Sequence, residues 1–378
     1  MTSEKHLSAN EVVGVVAANA ARHDAVGSFP KESVEALAAN GLLGLCVSPE
    51  HGGKGQSFRA FASFVESLGG ACASTGMIYV MHVASSKSIE ASALSDANSL
   101  LKDIAAGKHL TTLGASEKGS RSLFWMPVSK LVTHGDGYRV SAEKSWVTAA
   151  HHVQSFVATA QSPDAESPLQ SECFLVRTDR DGIDSSRAFD GLGLRGNDSA
   201  PVYLTDYRVA PGDMITSDAK GFEHLLGVVL PWFLVGTTAL SIGLMKAATS
   251  ITQEHLLKSS FEHDGSRLAD LGNLRARLAQ MNTTASAAAG LLETAIAALE
   301  GNDPAATLHL LQARLFAIEN VVRVADQAMQ TCGGAAFSKH SPLERVFRDS
   351  LAGRVMAPTT DHLHDLIGKA LLGMELFE

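Results

Sequence analysis

The sequence is poor in cysteine, and its few cysteines are not spaced as metal ligands or disulfide partners. The four cysteines in 378 residues are Cys46, Cys72, Cys173 and Cys332. Zinc sites and disulfide frameworks that can be recognised in a sequence need paired spacings or many cysteines. We therefore predict neither, and unpaired thiols are typical of a reducing compartment such as the cytoplasm.

An excess of positive charge is also absent. Lys and Arg number 31 against 40 Asp and Glu, which gives a formal net charge of -9. Binding to nucleic acid needs a clustered positive field, so nucleic acid is not expected as a main partner. The first residues, with Glu4, Lys5 and Glu11 in a polar stretch, lack the layout of a signal peptide. We expect a cytoplasmic protein.

The one long uncharged run covers residues 225–245. Its 21 residues are enough to span a bilayer. Pro231, three glycines and several hydroxyl residues interrupt the run, and Lys220 and Lys246 flank it evenly, so no orientation bias is present. We predict a buried core helix here and no membrane span.

What the sequence does contain is a change of periodicity at two points. Residues 1–110 and 216–378 carry apolar residues at helical spacing. Residues 111–215 switch to alternation in short runs, and no long helical pattern separates these runs. The predicted fold class is α+β, mainly α. It has an N-terminal helical domain (1–110), a middle antiparallel β-barrel or sandwich (111–215) and a C-terminal four-helix bundle (216–378).

Short turn signals mark some of the element boundaries. Pro30 has a fixed φ that suits the first turn of a helix, and Asn40-Gly41 suits a left-handed helix end. Gly135-Asp136-Gly137 precedes an alternating run at Tyr138, Val140 and Ala142, which is typical of a hairpin. We therefore expect a helix between Pro30 and Asn40 and a pair of antiparallel strands around Asp136.

Two motifs look like ligand sites but are better explained in other ways. Residues 191–196 match GxGxxG, yet a dinucleotide site needs a long helix directly after the motif, and Pro201 follows too closely. Residues 361–365 read DHLHD, but a helix places His362 and His364 about 200° apart, so they cannot share a metal. We predict a turn at the first motif, a solvated helix face at the second, and no metal site.

Four motifs in sequence order resemble those of the acyl-CoA dehydrogenase superfamily. They are GLLG at 41–44 with PEHGGKG at 49–55, EKSWVT at 143–148, GLRGND at 193–198, and QTCGG at 330–334 with ER and RD at 344–349. The resemblance covers nearly the whole chain, and no single motif decides it. It implies the three-part fold of that family, bound FAD and oxidation of a small acyl thioester.

The resemblance also implies which residues contact the cofactor. Thr148 would place its hydroxyl at flavin N5, and Trp146 would lie against the flat apolar isoalloxazine ring. Ser116 and Ser120 match a loop that binds the pyrimidine edge and the diphosphate. Thr359 matches a threonine that contacts the flavin.

A second group of cofactor contacts is implied to come from a neighbouring subunit. Gln330, Gly333 and Gly334 occupy the positions that the family uses for this contact. The resemblance therefore predicts a homo-oligomer, either a dimer or a homotetramer.

The chain departs from the family at the catalytic base. Counting eight residues beyond Asp349 leads to Ala357, where the family has a glutamate that removes the substrate α-proton. The alternative position on the first bundle helix holds Phe233. A positioned base typically contributes about 10²–10⁴-fold to rate. Asp361 is the first candidate for a relocated base and Glu117 the second.

These substitutions leave more than one function open. Ala357 and Phe233 are predicted to line a substrate pocket, together with His82 on an otherwise apolar helix, although a core histidine is the simpler explanation of His82. The favoured function is an acyl-thioester dehydrogenase with a relocated base. The alternatives are a flavin-dependent monooxygenase, which needs no such base, and a non-catalytic flavin-binding paralogue.

Overall fold

The first part of the chain is helical, as predicted. A computed structural model describes residues 7–377. The helices that precede the strands are α1 (Ala9–Val26), α2 (Lys31–Ala39), α3 (Phe58–Ala71), α4 (Ala73–Glu90) and α5 (Ala97–Ala105). Ser8 and Glu11 form a capping box that satisfies free N–H groups at the start of α1.

The turn signals place α2 within one residue. Pro30 occupies the position before its first helical residue, and Asn40 is its C-terminal cap. Gly41 then adopts φ +64°, the left-handed conformation that glycine tolerates best.

The middle segment contains seven strands in two sheets. The strands are β1 (Thr111–Gly114), β2 (Val132–His134), β3 (Gly137–Val147), β4 (Ser155–Gln161), β5 (Ser171–Arg177), β6 (Ile183–Ser185) and β7 (Ala200–Val209). One sheet has the order β1-β4-β5 and the other β2-β3-β7-β6. The hairpin predicted at Asp136 joins β2 to β3, with His134 opposite Gly137.

One strand pair differs from the antiparallel arrangement that the sequence predicts. β1 runs parallel to β4, with Thr111 opposite Ser155. All other strand pairs among the described residues are antiparallel. The alternation of residue types gives no information on direction, because a side chain points to the same face in either case.

The two sheets enclose a common apolar core, so the middle segment is a sandwich. Phe156, Phe174 and Val176 from the first sheet belong to the same buried cluster as Val140 and Tyr207 from the second. Tyr207 also uses its hydroxyl, which accepts the Arg177 N–H at 3.0 Å. This core holds β3, the strand that carries several of the predicted site residues.

The last part of the chain is again helical. It contains α6 (Gly221–His224), a π-helical turn (Leu225–Val229), α7 (Leu230–Lys258), α8 (Gly272–Glu300), α9 (Ala306–Cys332), α10 (Pro342–Ser350), α11 (Ala352–Val355) and α12 (Thr360–Leu372). Helix α9 packs against α8, α10 and α12. The four long helices α7, α8, α9 and α12 correspond to those predicted from periodicity.

The uncharged run lies in a helix that is mostly buried. The continuous helical stretch Gly221–Lys258 is long and apolar enough to cross a membrane, and 78% of its most apolar window is buried inside the protein. This agrees with the predicted core helix.

By internal contacts the chain forms two compact units. The first extends to Phe61 and includes Met77–Asp190 and Arg195–Phe233. The second comprises Ala62–Gly76, Gly191–Leu194 and the chain from Leu234 onwards. The predicted cofactor and substrate residues are therefore divided between the units.

Candidate functional site

The end of β3 presents an exposed aromatic ring and a buried hydroxyl. The Trp146 side chain is 52% exposed and stands edge-on to Phe189, itself 56% exposed, with 4.9 Å between ring centroids. Thr148 is buried, and its Oγ1 lies 3.4 Å from Oγ of Ser199. An irregularity in the β3–β7 register between Lys144 and Val147 re-aims the side chains at this point.

The serine loop that the sequence assigned to the cofactor runs alongside this strand end. The Ser145 N–H donates to the Ser116 carbonyl at 2.9 Å, and the Lys118 N–H donates to the Glu143 carbonyl at 3.0 Å. The Ser120 hydroxyl donates to the Glu117 carbonyl at 2.9 Å, which folds the loop into a tight turn. The first unit thus brings Ser116, Ser120, Trp146 and Thr148 to one region of the β sandwich.

Glu117 is not placed as a proton acceptor. Its carboxylate accepts hydrogen bonds from the N–H groups of Val128 (2.6 Å) and Ser129 (2.7 Å), from the Ser129 hydroxyl, and from Lys144 Nζ (2.6 Å). Burial raises the pKa of Glu117, but Lys144 and these donors outweigh burial and hold it below its usual value. A carboxylate that accepts four hydrogen bonds and has a lowered pKa is a poor base. Glu117 is therefore not suited to be the relocated catalytic base.

His82 lies in the core, which agrees with the simpler explanation that the sequence offers for it. It is fully buried, its Nε2 lies 3.1 Å from the Leu43 carbonyl, and its Nδ1 accepts the Thr111 N–H at 3.2 Å. These partners fix the neutral ring with its proton on Nε2. Burial lowers the pKa of His82 to about 4. No ring nitrogen is left to contact a substrate.

Phe233 lies at the start of α7 and is buried, with 7% of its surface exposed. The preceding residue, Trp232, stacks on Phe58 with 4.0 Å between ring centroids. The Lys87 ammonium lies 5.3 Å from the centroid of the Trp232 ring. The Trp232 ring therefore has an aromatic neighbour in Phe58 and a cation in Lys87.

In the second unit, Ala357 and Thr359 precede α12 and Asp361 lies in its first turn. The Thr359 side chain caps the helix by accepting the His362 N–H at 3.5 Å. Asp361 is exposed, and Ala357 is half-buried. The helix cap is thus Thr359 rather than Asp361. A carboxylate in the first helical turn is favoured by the helix dipole, which is one structural role for Asp361.

The residues predicted to reach a neighbouring subunit are on the surface. Gln330 is exposed in the last turn of α9, where its Nε2 donates to Asp326 at 2.8 Å. Gly333 and Gly334 are exposed, and a Cβ added to either would meet no atom within 4 Å. Phe337, just beyond them, is 89% exposed.

The GLRG and RD motifs meet within the second unit. The Leu194 N–H donates to the Asp349 carboxylate at 2.6 Å, and Arg348 Nη1 donates to the Leu192 carbonyl at 3.0 Å. Leu194 has φ +52° in a turn, and no helix follows the motif. The prediction that residues 191–196 form a turn is confirmed.

Other sequence predictions can be compared with the described residues directly. Among residues 7–377, no group of His, Cys, Asp and Glu could hold a metal ion. The four cysteines are free and buried. Two partners near the site were missed, Ser199 beside Thr148 and the pairing of Lys144 with Glu117. Lys144 does stand in the quoted EKSWVT motif, which is the only signal that pointed to it.

Comparison with known proteins identifies the family. The N-terminal, middle and C-terminal domain models of acyl-CoA dehydrogenase match residues 9–97, 112–207 and 220–372. A probable acyl-CoA dehydrogenase of Bacillus subtilis, YngJ, is 27% identical over 366 residues, which cover 94% of each chain. The short-chain specific acyl-CoA dehydrogenase of Clostridium acetobutylicum is 23% identical over 359 residues, 94% of this chain and 93% of that one.

Solved structures show the same fold. Butyryl-CoA dehydrogenase from Megasphaera elsdenii superposes with a TM-score of 0.89 at 19% identity, covering 98% of this chain and 100% of that one. An acyl-CoA dehydrogenase from Geobacillus kaustophilus gives 0.89 at 21% identity and covers 98% of both chains. The curated relatives named above are dehydrogenases, which does not favour the monooxygenase or the non-catalytic alternative. From the three domain matches and the common fold, this chain belongs to the acyl-CoA dehydrogenase family.

Proposed function

We propose that the protein is an FAD-dependent oxidoreductase that introduces an α,β double bond into a small acyl thioester. The observation that carries the proposal is the end of β3, where the half-exposed Trp146 lies two residues before the buried Thr148. The exposed Trp146 indole beside the exposed Phe189 ring forms a small apolar surface, and a flat apolar ring system such as a flavin fits against it. Bound FAD would accept the hydride from the substrate β-carbon.

The residues of the first unit fit the requirements of such a cofactor. Trp146 offers an apolar face, Thr148 a hydroxyl donor, and the loop from Ser116 to Ser120 short hydroxyls and backbone amides for polar edges. The loop is held by backbone hydrogen bonds to β3, so these groups are preorganised. Thr359 is proposed as a further flavin contact, as the resemblance implies.

The substrate α-proton still requires a base. The proposal assigns this role to Asp361, because Ala357 and Phe233 cannot accept a proton and Glu117 is fully bonded. The exposed position of Asp361 in the first turn of α12 leaves its carboxylate available. The amide N–H of Ala357 is a candidate donor to the thioester oxygen, since such donors stabilise developing negative charge.

We also propose that the protein is a homo-oligomer and that it is cytoplasmic. Exposed Gln330, Gly333 and Gly334, followed by exposed Phe337, are assigned to contact with a second copy of the chain, as a dimer or homotetramer. The three-domain division at residues 110 and 215 and a cytoplasmic location are part of the same proposal. Mass measurement in solution tests the assembly, and a flavin-loaded monomer of 39.7 kDa would contradict it.

Anaerobic titration of the purified protein tests the activity. We expect a yellow protein whose visible flavin absorbance bleaches on addition of a short acyl-CoA such as butyryl-CoA. Trp146→Ala should weaken FAD binding, while Phe189→Ala, which removes only the neighbouring ring, is the matched control. A protein that stays colourless after incubation with FAD would overturn the proposal.

A further inference from the structure

A buried ion pair joins the serine loop to β3. Lys144 is fully buried and Glu117 is 5% exposed, and Nζ of Lys144 lies 2.6 Å from Oε1 of Glu117. The backbones of the two residues also form an isolated antiparallel bridge. Charged residues are almost never this deeply buried unless they are paired. Each residue of this pair therefore needs the other in order to be buried.

Each residue of the pair also forms hydrogen bonds to a further segment of the chain. Nζ of Lys144 also donates to the Thr159 carbonyl at 2.6 Å, which ties β3 to β4 in the opposite sheet. Glu117 accepts from the backbone N–H groups of Val128 and Ser129, at 2.6 and 2.7 Å. Four separate segments are therefore fixed to one another through two side chains.

The position of the pair along the chain links it to the proposed cofactor residues. Glu117 lies between Ser116 and Ser120 in the loop, and Lys144 lies two residues before Trp146. A buried ion pair contributes little net stability compared with apolar residues of the same size. Its better-attested use is to specify one arrangement of the segments that it joins.

We propose that Glu117 and Lys144 are positioning residues that hold the Ser116–Ser120 loop in register with the Trp146–Thr148 strand end, and so shape the FAD site without touching FAD. The inference rests on the proposed function. It assigns to Glu117 a role in cofactor binding in place of the proton transfer for which the sequence made it a candidate.

The test compares Lys144→Met, Glu117→Gln and the double variant with Asp213→Asn. Asp213 is the matched control, because it is also buried in the β sandwich, where it accepts hydrogen bonds from Arg177 and Arg180. FAD dissociation constants are measured by equilibrium dialysis, and unfolding midpoints are measured on the same samples. The shape of the visible flavin spectrum reports the environment of the ring.

If the pair positions the site, each single variant should bind FAD about 10–100-fold more weakly, the range known for supporting residues around metal sites. Asp213→Asn should lower the unfolding midpoint but leave the FAD dissociation constant and spectrum unchanged. The two single effects on FAD affinity should not add in the double variant, because both remove the same link.

The result that would overturn the inference is wild-type FAD affinity and spectrum in Lys144→Met, with a fall in the unfolding midpoint like that of Asp213→Asn. If a single variant does not fold, the double variant decides the matter by the same criteria, since it leaves no unpaired buried charge. Wild-type protein that binds no FAD would instead remove the proposed function, so the two failures are distinguishable.

Discussion

The backbone N–H of Leu194 donates to the buried carboxylate of Asp349 across 155 residues of sequence. Gly193, the preceding residue, lies so close to α10 that a Cβ there would be 2.4 Å from the Arg348 carbonyl oxygen. Any side chain at position 193 would therefore push the turn away from Asp349 and break the hydrogen bond from the Leu194 N–H to that carboxylate.

Gly193→Ala should consequently destabilise the protein by about 1–3 kcal/mol, the usual cost of overpacking. Gly290→Ala is the control, because Gly290 lies within α8 and an added Cβ meets no atom within 4 Å. That substitution should stabilise by roughly 0.5–1 kcal/mol, since alanine is the better helix former. Urea unfolding of both variants measures the difference, and equal effects of the same sign would contradict the expected role of Gly193.

The relocated-base proposal makes a prediction for Asp361. Asp361→Asn should abolish bleaching of bound FAD by acyl-CoA while leaving FAD binding intact, because a base contributes about 10²–10⁴-fold. Asp365→Asn, an exposed position one turn further along α12, is the control and should keep the wild-type rate. Bleaching of Asp361→Asn at the wild-type rate in anaerobic stopped-flow measurements would reject Asp361 as the base.

The complementary prediction concerns Ala357. Ala357→Glu restores a carboxylate at the position where the resemblance places the family's base, and it should raise the rate of flavin reduction by butyryl-CoA. Val355→Glu places the same charge two residues earlier, on a side chain that is 77% exposed, and should have no effect. Equal rates for the two glutamate variants would show that position 357 does not face the substrate.

Buried histidines should make the protein sensitive to mild acid. Burial lowers the pKa of His82, and also of His109 and His224, to about 4 from 6.5. Between these pH values the unfolded chain binds more protons, so stability falls as pH decreases from 6.5 towards 4. For His82 alone the full loss is about 3 kcal/mol.

His82→Gln tests this dependence. Its amide can donate to the Leu43 carbonyl and accept from the Thr111 N–H without a titrating group. The variant should lose less stability than the wild type between pH 7 and pH 5 in urea titrations. His134→Gln alters an exposed histidine and should retain the wild-type difference. An unchanged pH dependence in His82→Gln would contradict the prediction.

Arg314 is a buried cationic residue with few hydrogen bonds to stabilise its charge. It is 1% exposed in α9, its Nη2 donates to the Gly353 carbonyl at a long 3.4 Å, and its Nε has no hydrogen-bond partner among residues 7–377. Burial lowers the pKa of Arg314 to about 9. An apolar side chain of similar length should be tolerated at such a position.

Arg314→Met should therefore be within about 1 kcal/mol of the wild type, or more stable. Arg314→Ala should be less stable by about 2–5 kcal/mol, because it leaves a cavity. Thermal and urea unfolding of the two variants separates the loss of charge from the loss of packing. A loss of several kcal/mol in Arg314→Met would mean that the guanidinium has a strong partner in the assembled protein.

The features that are predicted well from the sequence are those determined by residues close together along the chain. The Gly135–Gly137 turn fixes a hairpin, and Asn40-Gly41 fixes a helix end, because φ values above zero are required there. The order of helical, β and helical segments also follows from local periodicity.

The features that the sequence left open depend on distant partners. His82 became a core residue only through Leu43 and Thr111, 39 and 29 residues away. The sequence alone leaves Glu117 as a candidate base. Its hydrogen bond to Lys144, 27 residues further along the chain, makes it unsuitable for that role. No period or turn motif encodes such pairings, because both are set by tertiary packing.

The parallel pairing of β1 with β4 affects the order in which the sandwich can form during synthesis on the ribosome. Thr111 pairs with a strand that follows 44 residues later. At about 5–20 residues per second, the ribosome takes roughly 2–9 s to deliver that partner. During this interval the newly made β1 has no strand beside it. The β1 edge of the sandwich therefore cannot close until residues 155–161 have been synthesised.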